Sequence, residues 1–472
     1  MDELTQVSIT ELARRIRAKE VSPVEAAEAY LRRIERWNPL LNAIVTLAPD
    51  VLMQARQAEA TIMEGDQVGP LHGVPITIKD TIETAGLLAT SGSPVRAQFV
   101  PKCDAPAVGR LKAAGAIILG KTNPAEMAMD YTGVNPLFPA TNNPHDPTRT
   151  SGGSSGGEAA AIAACMSAAG LGSDLAGSIR IPAHFCGIAG LKPATGRIPG
   201  EGQFPAAIGP YSLGAVIGPM ARYVADLRLM FEVLSTAENQ SSGASQAGLQ
   251  HQLESDLKGW RVAWYTDDGV SPVTEETRQA VQAAARALES AGLIIEEHRP
   301  PGVERGHDLW LKLFSRASVV QLREVYAGRE DEAGAFVRWR LATADDHQDA
   351  TLDEYIRAWM ERDRLRSALN QWMEDVPLLL APVGATPALE HGAHKVTVGS
   401  QTMSSFRAFS YSQTFNVFDL PSVCVPAGTS SEGLPIGVQI VGRPSGEDHV
   451  LTAATIIEKA SGGWRMPALG GK

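Results

Sequence analysis

Residues 151–180 read SGGSSGGEAAAIAACMSAAGLGSDLAGSIR, and they constrain this protein more than the rest of the chain. A glycine–serine loop, Ser151 to Gly157, opens a helix built almost wholly of small residues. A second loop, Gly172 to Gly177, presents Ser178 beside Arg180. Ser154 and Ser178 therefore sit on tight turns 24 positions apart. Glycine permits backbone conformations and close approaches that a Cβ forbids. Successive N–H groups in such a turn can converge on an anion. A serine closing the turn points to nucleophilic attack beside an oxyanion site.

A serine hydroxyl is a weak nucleophile until a base takes its proton. Upstream lies LHGVPITIKD, Leu71 to Asp80, whose apolar and β-branched residues predict a buried strand with Lys79 at its end. A lysine in that setting loses hydration, so its neutral form is favoured and can accept a proton. This reading makes Lys79 the base, Ser154 the relay and Ser178 the nucleophile.

The segments GVPITIKD, SGGSSGGEAA and GSDLAGSIRIPAHFCGIAGLKP, in that order and at that serine spacing, resemble the amidase signature family of serine hydrolases. The resemblance runs from about Glu11 to Ile457 and takes in AAGAIILGKTNPAEMAM, LPSVCVPAG and GLPIGVQIVG. It implies a lysine and a serine held by a cis peptide, Lys79 and Ser154, that activate Ser178. It also implies an oxyanion hole from the backbone N–H groups of Leu175, Ala176, Gly177 and Ser178. Many members carry Thr-Gly or Ile-Gly where this chain has Leu175-Ala176. Asp174 and Arg180 are expected to stand behind these groups and brace the loop.

Two rival motifs compete. Residues 115–122, GAIILGKT, fit the G-x-x-x-x-G-K-[ST] phosphate-loop pattern, which requires a strand before the loop and a helix after it. Here Ala116 to Leu119 are themselves strand-like and Asn123-Pro124 follows at once. Gly152 to Gly156 fits the G-x-S-x-G nucleophile elbow, which would make Ser154 the nucleophile and leave Lys79 and Ser178 without a role. Either glycine loop alone would pass as an ordinary turn; three coinciding segments do not.

The 472 residues are 44% hydrophobic with a net charge of −11, enough apolar content for a sizeable core. No basic patch exceeds short ARRIRAK-type helix faces, which argues against nucleic acid as a partner. Of the four cysteines, Cys103, Cys165, Cys186 and Cys424, Cys165 and Cys424 read as small core residues. The His391/His394 pair encloses only Gly and Ala, so no metal is expected, and no cofactor. The start MDELTQ has no signal-peptide character, and no apolar run approaches about 20 residues. A cytoplasmic enzyme without membrane attachment, monomer or homodimer, is expected.

Ser8 with Glu11, and Ser22-Pro23 with Glu25, predict two N-terminal helices opened by capping boxes. On the second, Val24, Ala27, Leu31 and Ile34 line one face and Asn38-Pro39 ends it. Strands are expected at Val74–Lys79, Ala116–Leu119, Arg261–Tyr265, Leu293–Glu296, Val376–Leu380, Val423–Val425 and Gly437–Val441. Their alternation with helices predicts an α/β fold: a large, twisted, mixed and mostly parallel sheet with helices on both faces. The last two strands, joined by the Gly428–Gly433 turn, would supply a mixed edge. One amidase signature domain is expected over 1–472, with N-terminal helices in 1–65, a catalytic core in 66–235 and a helical substrate-pocket tract in 306–375. Ser241 to Gln252 reads as a surface loop.

The helical tract carries Trp310, Phe314, Trp339, Tyr355, Trp359 and Trp372. The loop from Gly196 to Met220 carries Phe204, Ala206, Ala207, Ile208 and Tyr211. With Met127 and Met129, Phe204, Ile208 and Tyr211 are the candidate pocket residues, and their apolar character favours a hydrophobic or aryl group on the substrate. The expected activity is hydrolysis of C–N bonds in small-molecule amides, anilides or carbamates through an acyl-enzyme, with side esterase activity. Within the family the alternative is the glutaminase component of a tRNA-dependent amidotransferase. Those proteins typically read GSIRQPA where this chain has Ile181 in GSIRIPA.

Overall fold

The strands that carry the molecule are short, and most are buried end to end. The computed structural model describes residues 2–235, 253–343 and 351–469; the segment expected as a Ser241–Gln252 surface loop lies outside them. In chain order the strands are β1 (Ile44–Leu47), β2 (Pro75–Lys79), β3 (Ile117–Thr122), β4 (Ala169–Asp174), β5 (Ala189–Lys192), β6 (Val216–Ala221), β7 (Arg261–Trp264), β8 (Ile294–Glu297), β9 (Leu378–Pro382), β10 (Lys395–Val398), β11 (Gln401–Ser404), β12 (Ser422–Thr429) and β13 (Pro435–Gly442). Eleven of them form one sheet in the order β1-β3-β2-β4-β6-β5-β12-β13-β9-β7-β8, and β10 and β11 pair separately.

The sheet is mixed and flanked by helices, as expected. Parallel pairing is confined to β3-β2-β4 and β9-β7-β8. The run from β4 through β6, β5, β12 and β13 to β9 is antiparallel, a larger antiparallel share than strand–helix alternation implied. The late hairpin is not an edge. β12 and β13 sit at the centre because Val423, Cys424, Val425, Val438 and Ile440 are fully buried and must be covered on both faces.

Seven strands fall where the apolar runs place them, within a few residues. β4 (AGLGSD) and β5 (AGLK) carry almost no β-branched or aromatic signal, so residues 172–174, expected as loop, prove to be strand. Their small residues serve close packing. A Cβ on Gly170 would collide with Glu158 and Thr77, and one on Gly172 with Ser155 and Met220. This lets the Gly156–Ala163 helix lie directly on the sheet, every one of its residues buried.

The N-terminal helices form largely as expected. Ser8 accepts the Glu11 N–H at 3.1 Å, but the Glu11 carboxylate pairs with Arg14 and Arg15 and leaves the box half closed. Ser22 and Glu25 close theirs. Pro39 does not end the second helix, which runs to Leu41 and stops at Asn42 in the left-handed conformation. The Asn38 side chain takes the Ala43 and Ile44 N–H groups beyond that stop. Of its expected face, Ala27 and Ile34 are buried and Val24 and Leu31 half-buried. One continuous buried apolar cluster extends from Ile9 to Ile457.

Truncating that cluster at the central hairpin should be costly. Ile440→Ala is expected to destabilise by about 2–5 kcal/mol, read as a lowered urea midpoint with unchanged secondary structure.

Candidate functional site

β2 delivers Lys79 to the inside of the sheet between β3 and β4, where its side chain has no solvent exposure. Its Nζ donates to Ser154 Oγ at 2.7 Å and to Ser173 Oγ at 2.9 Å. Burial lowers its pKa to about 7, against the opposing pull of Asp174 and Glu158. Glu158, beneath the same strands, is pushed up to about 7 by burial, with hydrogen bonds from Thr77 and Thr122 acting in the other direction. The lysine thus stands in a dry site where its neutral form is accessible near neutral pH.

Ser154 follows a cis peptide after Gly153. A Cβ on Gly153 would run into the backbone of Asp130 and Tyr131, so glycine is required by close approach. The neighbouring Ser155 ties the two serine loops together. Its N–H donates to Ser178 O at 3.2 Å, and its Oγ accepts the Ser173 N–H at 3.3 Å. Neither Ser155 nor Ser173 was singled out from sequence. The available signals were the second serine of the pair and the serine immediately before Asp174.

The Asp174–Arg180 segment is held by a buried ion pair. Arg180 Nε and Nη2 donate to the two Asp174 carboxylate oxygens at 3.0 Å each, and the remaining N–H groups reach Gln439 and Asn416. Burial alone would raise the Asp174 carboxyl, but Arg180 holds it well below the usual carboxylate range. Asp174 also takes the Gly177 N–H at 2.8 Å and the Ile179 N–H at 3.1 Å. The Gly177 N–H is therefore spent within the loop, contrary to the expectation that it faces an oxyanion. The N–H groups of Leu175, Ala176 and Ser178 have no such partner among the described residues. Carbonyls on the other side are anchored by Trp310 Nε1 on Leu175 at 3.0 Å and Tyr131 OH on Ala176 at 2.7 Å. Gly177 has φ +105°, and a Cβ there would strike Ser412 and Ile181, whereas Ala176 needs no positive φ. Alanine fits where many family members have glycine.

Ser154, Ser173 and Ser178 lie on the wall of a cavity of about 330 Å³. Met127, Met129 and Tyr211 line it, with Trp310, Phe314, Phe336, Trp339 and Phe406. Phe204 and Ile208 do not. Phe204 packs its ring 3.9 Å from the Arg96 guanidinium, and Ile208 points outward with 64% of its surface exposed. The loop instead presents Gln203, Pro205, Ala206 and Ala207 to the cavity. The rest of the aromatic tract is packing: Trp359 meets Phe314 and Tyr355 edge-on, and Trp372 stacks on His298. Gln203 and Arg340 are among the lining residues that depart from the apolar expectation. Arg340 donates to Ser315 O and to Ser318 Oγ and has no carboxylate partner among the described residues.

The phosphate-loop motif does not survive in this geometry. Lys121 of the phosphate-loop pattern is buried within β3 and donates to the Ile82 carbonyl.

The amidase family model matches residues 25–451. The chain is 33% identical to one component of the glutamyl-tRNA(Gln) amidotransferase of Carboxydothermus hydrogenoformans, over 97% of this chain and 98% of that one. It is 35% identical to fatty-acid amide hydrolase 2-A of Danio rerio, over 98% and 90% respectively. The structure superimposes on that of a bacterial aryl acylamidase with a TM-score of 0.86 at 26% identity, covering 96% of each chain. The chain belongs to the amidase signature family. It is an amidase signature hydrolase, and no helix among the described residues is long and apolar enough to cross a membrane.

The ion pair behind the loop sets a test. Arg180→Met leaves the Asp174 charge buried without its cation and should destabilise by about 3–5 kcal/mol. Combining it with Asp174→Asn should recover part of that loss in a double-mutant cycle of urea denaturation.

Proposed function

We propose that this cavity hydrolyses C–N bonds of small-molecule amides, anilides or carbamates that carry a hydrophobic or aryl group. The observation that carries the reading is Lys79. It is a fully buried lysine without a contacting carboxylate, its Nζ 2.7 Å from Ser154 Oγ, and Ser154 lies with Ser178 on the wall of an apolar cavity. When neutral, Lys79 keeps one N–H on Ser173 and turns its lone pair to the Ser154 hydroxyl. Ser154 then takes the proton of Ser178 as Ser178 Oγ attacks the substrate carbonyl. The N–H groups of Ala176 and Ser178, with Leu175 beside them, are the donors left to meet the developing oxyanion. The same relay returns the proton to the leaving nitrogen, and water cleaves the acyl- or carbamoyl-enzyme by the reverse route. Asp174 and Arg180 hold the loop and stay out of the proton path.

A second reading, the glutaminase component of a tRNA-dependent amidotransferase, draws support from two observations. One is the 33% identity to such a protein. The other is Arg340, a cation on the cavity wall that could meet a substrate carboxylate. Seven aromatic side chains stand on the remaining wall, and they favour an aryl group over the polar backbone of glutamine. With purified protein, kcat/KM for para-nitroacetanilide should exceed that for glutamine, and Arg340→Met should leave the anilide rate within about threefold. The opposite ranking, with loss of glutamine turnover in Arg340→Met, would establish the glutaminase reading.

Two further outcomes test the proton relay. A fluorophosphonate probe should label the wild type and not Ser178→Ala; labelling at Ser154 would instead mark a nucleophile elbow. Activity should require neutral Lys79, so kcat/KM should rise with pH through a midpoint near the lowered value of about 7 and level off above it. Lys79→Met should cost about 10²–10⁴-fold and lose that rising limb. A rate that peaks in acid would remove lysine from the mechanism.

A further inference from the structure

From Asp174 to Ser178 every backbone carbonyl is taken. Asn416 Nδ2 donates to Asp174 O at 3.3 Å, Trp310 Nε1 to Leu175 O at 3.0 Å and Tyr131 OH to Ala176 O at 2.7 Å. The Ile181 N–H reaches Gly177 O at 2.7 Å, and the Ser155 N–H reaches Ser178 O at 3.2 Å. These peptides are trans, so each carbonyl and the N–H of the next residue lie in one plane and point in opposite directions. Holding one aims the other. The N–H groups of Leu175, Ala176 and Ser178 therefore owe their direction to Asn416, to Trp310 and to the Ile181 backbone respectively. Of these three, only Trp310 comes from the aromatic tract that also lines the cavity. It closes the Gly306–Trp310 helix and is 6% exposed. Its ring stacks on Phe406 at 5.8 Å, and Phe406 meets Tyr131 at 4.6 Å. One ring thus braces both aromatic donors that hold successive carbonyls of the loop.

We infer that Trp310 is a positioning residue: its indole N–H holds the Leu175 carbonyl and so keeps the Ala176 N–H turned to the oxyanion that forms at Ser178. The inference rests on the hydrolase reading of the same cavity. No other donor among the described residues reaches Leu175 O. Without the indole, that peptide is free to rotate, and a rotated peptide offers the developing negative charge a carbonyl oxygen in place of a donor. The apolar ring of Trp310 contacts bound substrate and reaction intermediate alike, whereas the Ala176 N–H acts on charge that exists only after attack. Loss of the ring surface should therefore appear in KM, and loss of the indole N–H in kcat.

Phenylalanine and histidine at this position separate the two functions. Phenylalanine keeps a large apolar ring and has no donor. Histidine gives up the six-membered ring but carries Nε2 at the ring position that Nε1 holds in the indole. With para-nitroacetanilide, Trp310→Phe should lower kcat about tenfold to a hundredfold and leave KM within about threefold. Trp310→His, assayed near pH 8 where the imidazole is neutral, should keep kcat within about fivefold of the wild type and above that of Trp310→Phe. Rates are expressed per Ser178 titrated to completion with the fluorophosphonate, so misfolded protein does not enter them. An unchanged kcat in Trp310→Phe, or Trp310→His slower than Trp310→Phe as a purely apolar wall requires, overturns this inference alone. A wild type that neither turns over the anilide nor takes up the probe overturns the hydrolase reading, and this inference with it.

Discussion

Burial of the Lys79 side chain is the constraint around which the rest is arranged. An ammonium group in a dry interior is expensive unless paired or neutralised, and here its direct partners are two serine hydroxyls. The protein offers the lysine a field from Asp174 and Glu158 but no contacting carboxylate, so desolvation prevails and the pKa falls to about 7. Both carboxylates are committed elsewhere, Asp174 to Arg180 and Glu158 to Thr77 and Thr122. These pairings keep both carboxylates out of contact with the lysine, and burial decides its charge state.

The same constraint explains the density of small residues. For Lys79 to be buried at the end of a strand, β3 and β4 must close on β2 and a helix must cover them. The Gly156–Ala163 helix does so because Gly157, Gly170 and Gly172 offer no Cβ to hold the elements apart. The helix that opens at Ser155 also fixes where Ser154 lies, so packing and placement of the serine are one requirement. Opposite it, Arg180 draws Asp174, Gln439 and Asn416 together. The loop before Ser178 is therefore tied to β13 and to the Ser410–Val417 helix.

The wall of the cavity is built on different terms. Met127, Tyr211, Trp310 and Phe314 come from separated stretches of chain, and the π-helical turn Leu311–Ser315 sets Leu311, Phe314 and Ser315 toward the cavity. Polar groups interrupt this wall at Gln203 and Arg340. Their partners differ: Arg340 is tethered to Ser315 and Ser318, and the Gln203 oxygen is not. The chemistry end of the cavity and the recognition end are thus supported by separate parts of the chain, which meet at Trp310.

Sequence alone determined the strand ending in Lys79, the two serine loops and the spacing that unites them, because these rest on local features: β-branched runs, glycines and motif order. It also placed seven strands and both N-terminal helices. It missed β4 and β5, whose glycines and alanines carry no strand periodicity and become strands only because neighbours on both sides pair with them. It placed the late hairpin at the edge, whereas burial on both faces puts β12 and β13 at the centre. Only the tertiary structure could show that Ser173 holds the lysine, that the Gly177 N–H is already spent on Asp174, and that Gln203 and Arg340 line the cavity while Phe204 and Ile208 do not. These are matters of side-chain direction and of partners up to 259 positions apart, as between Arg180 and Gln439. Local sequence encodes which residues a segment contains; contacts across the sheet decide which of their atoms remain free to meet a substrate.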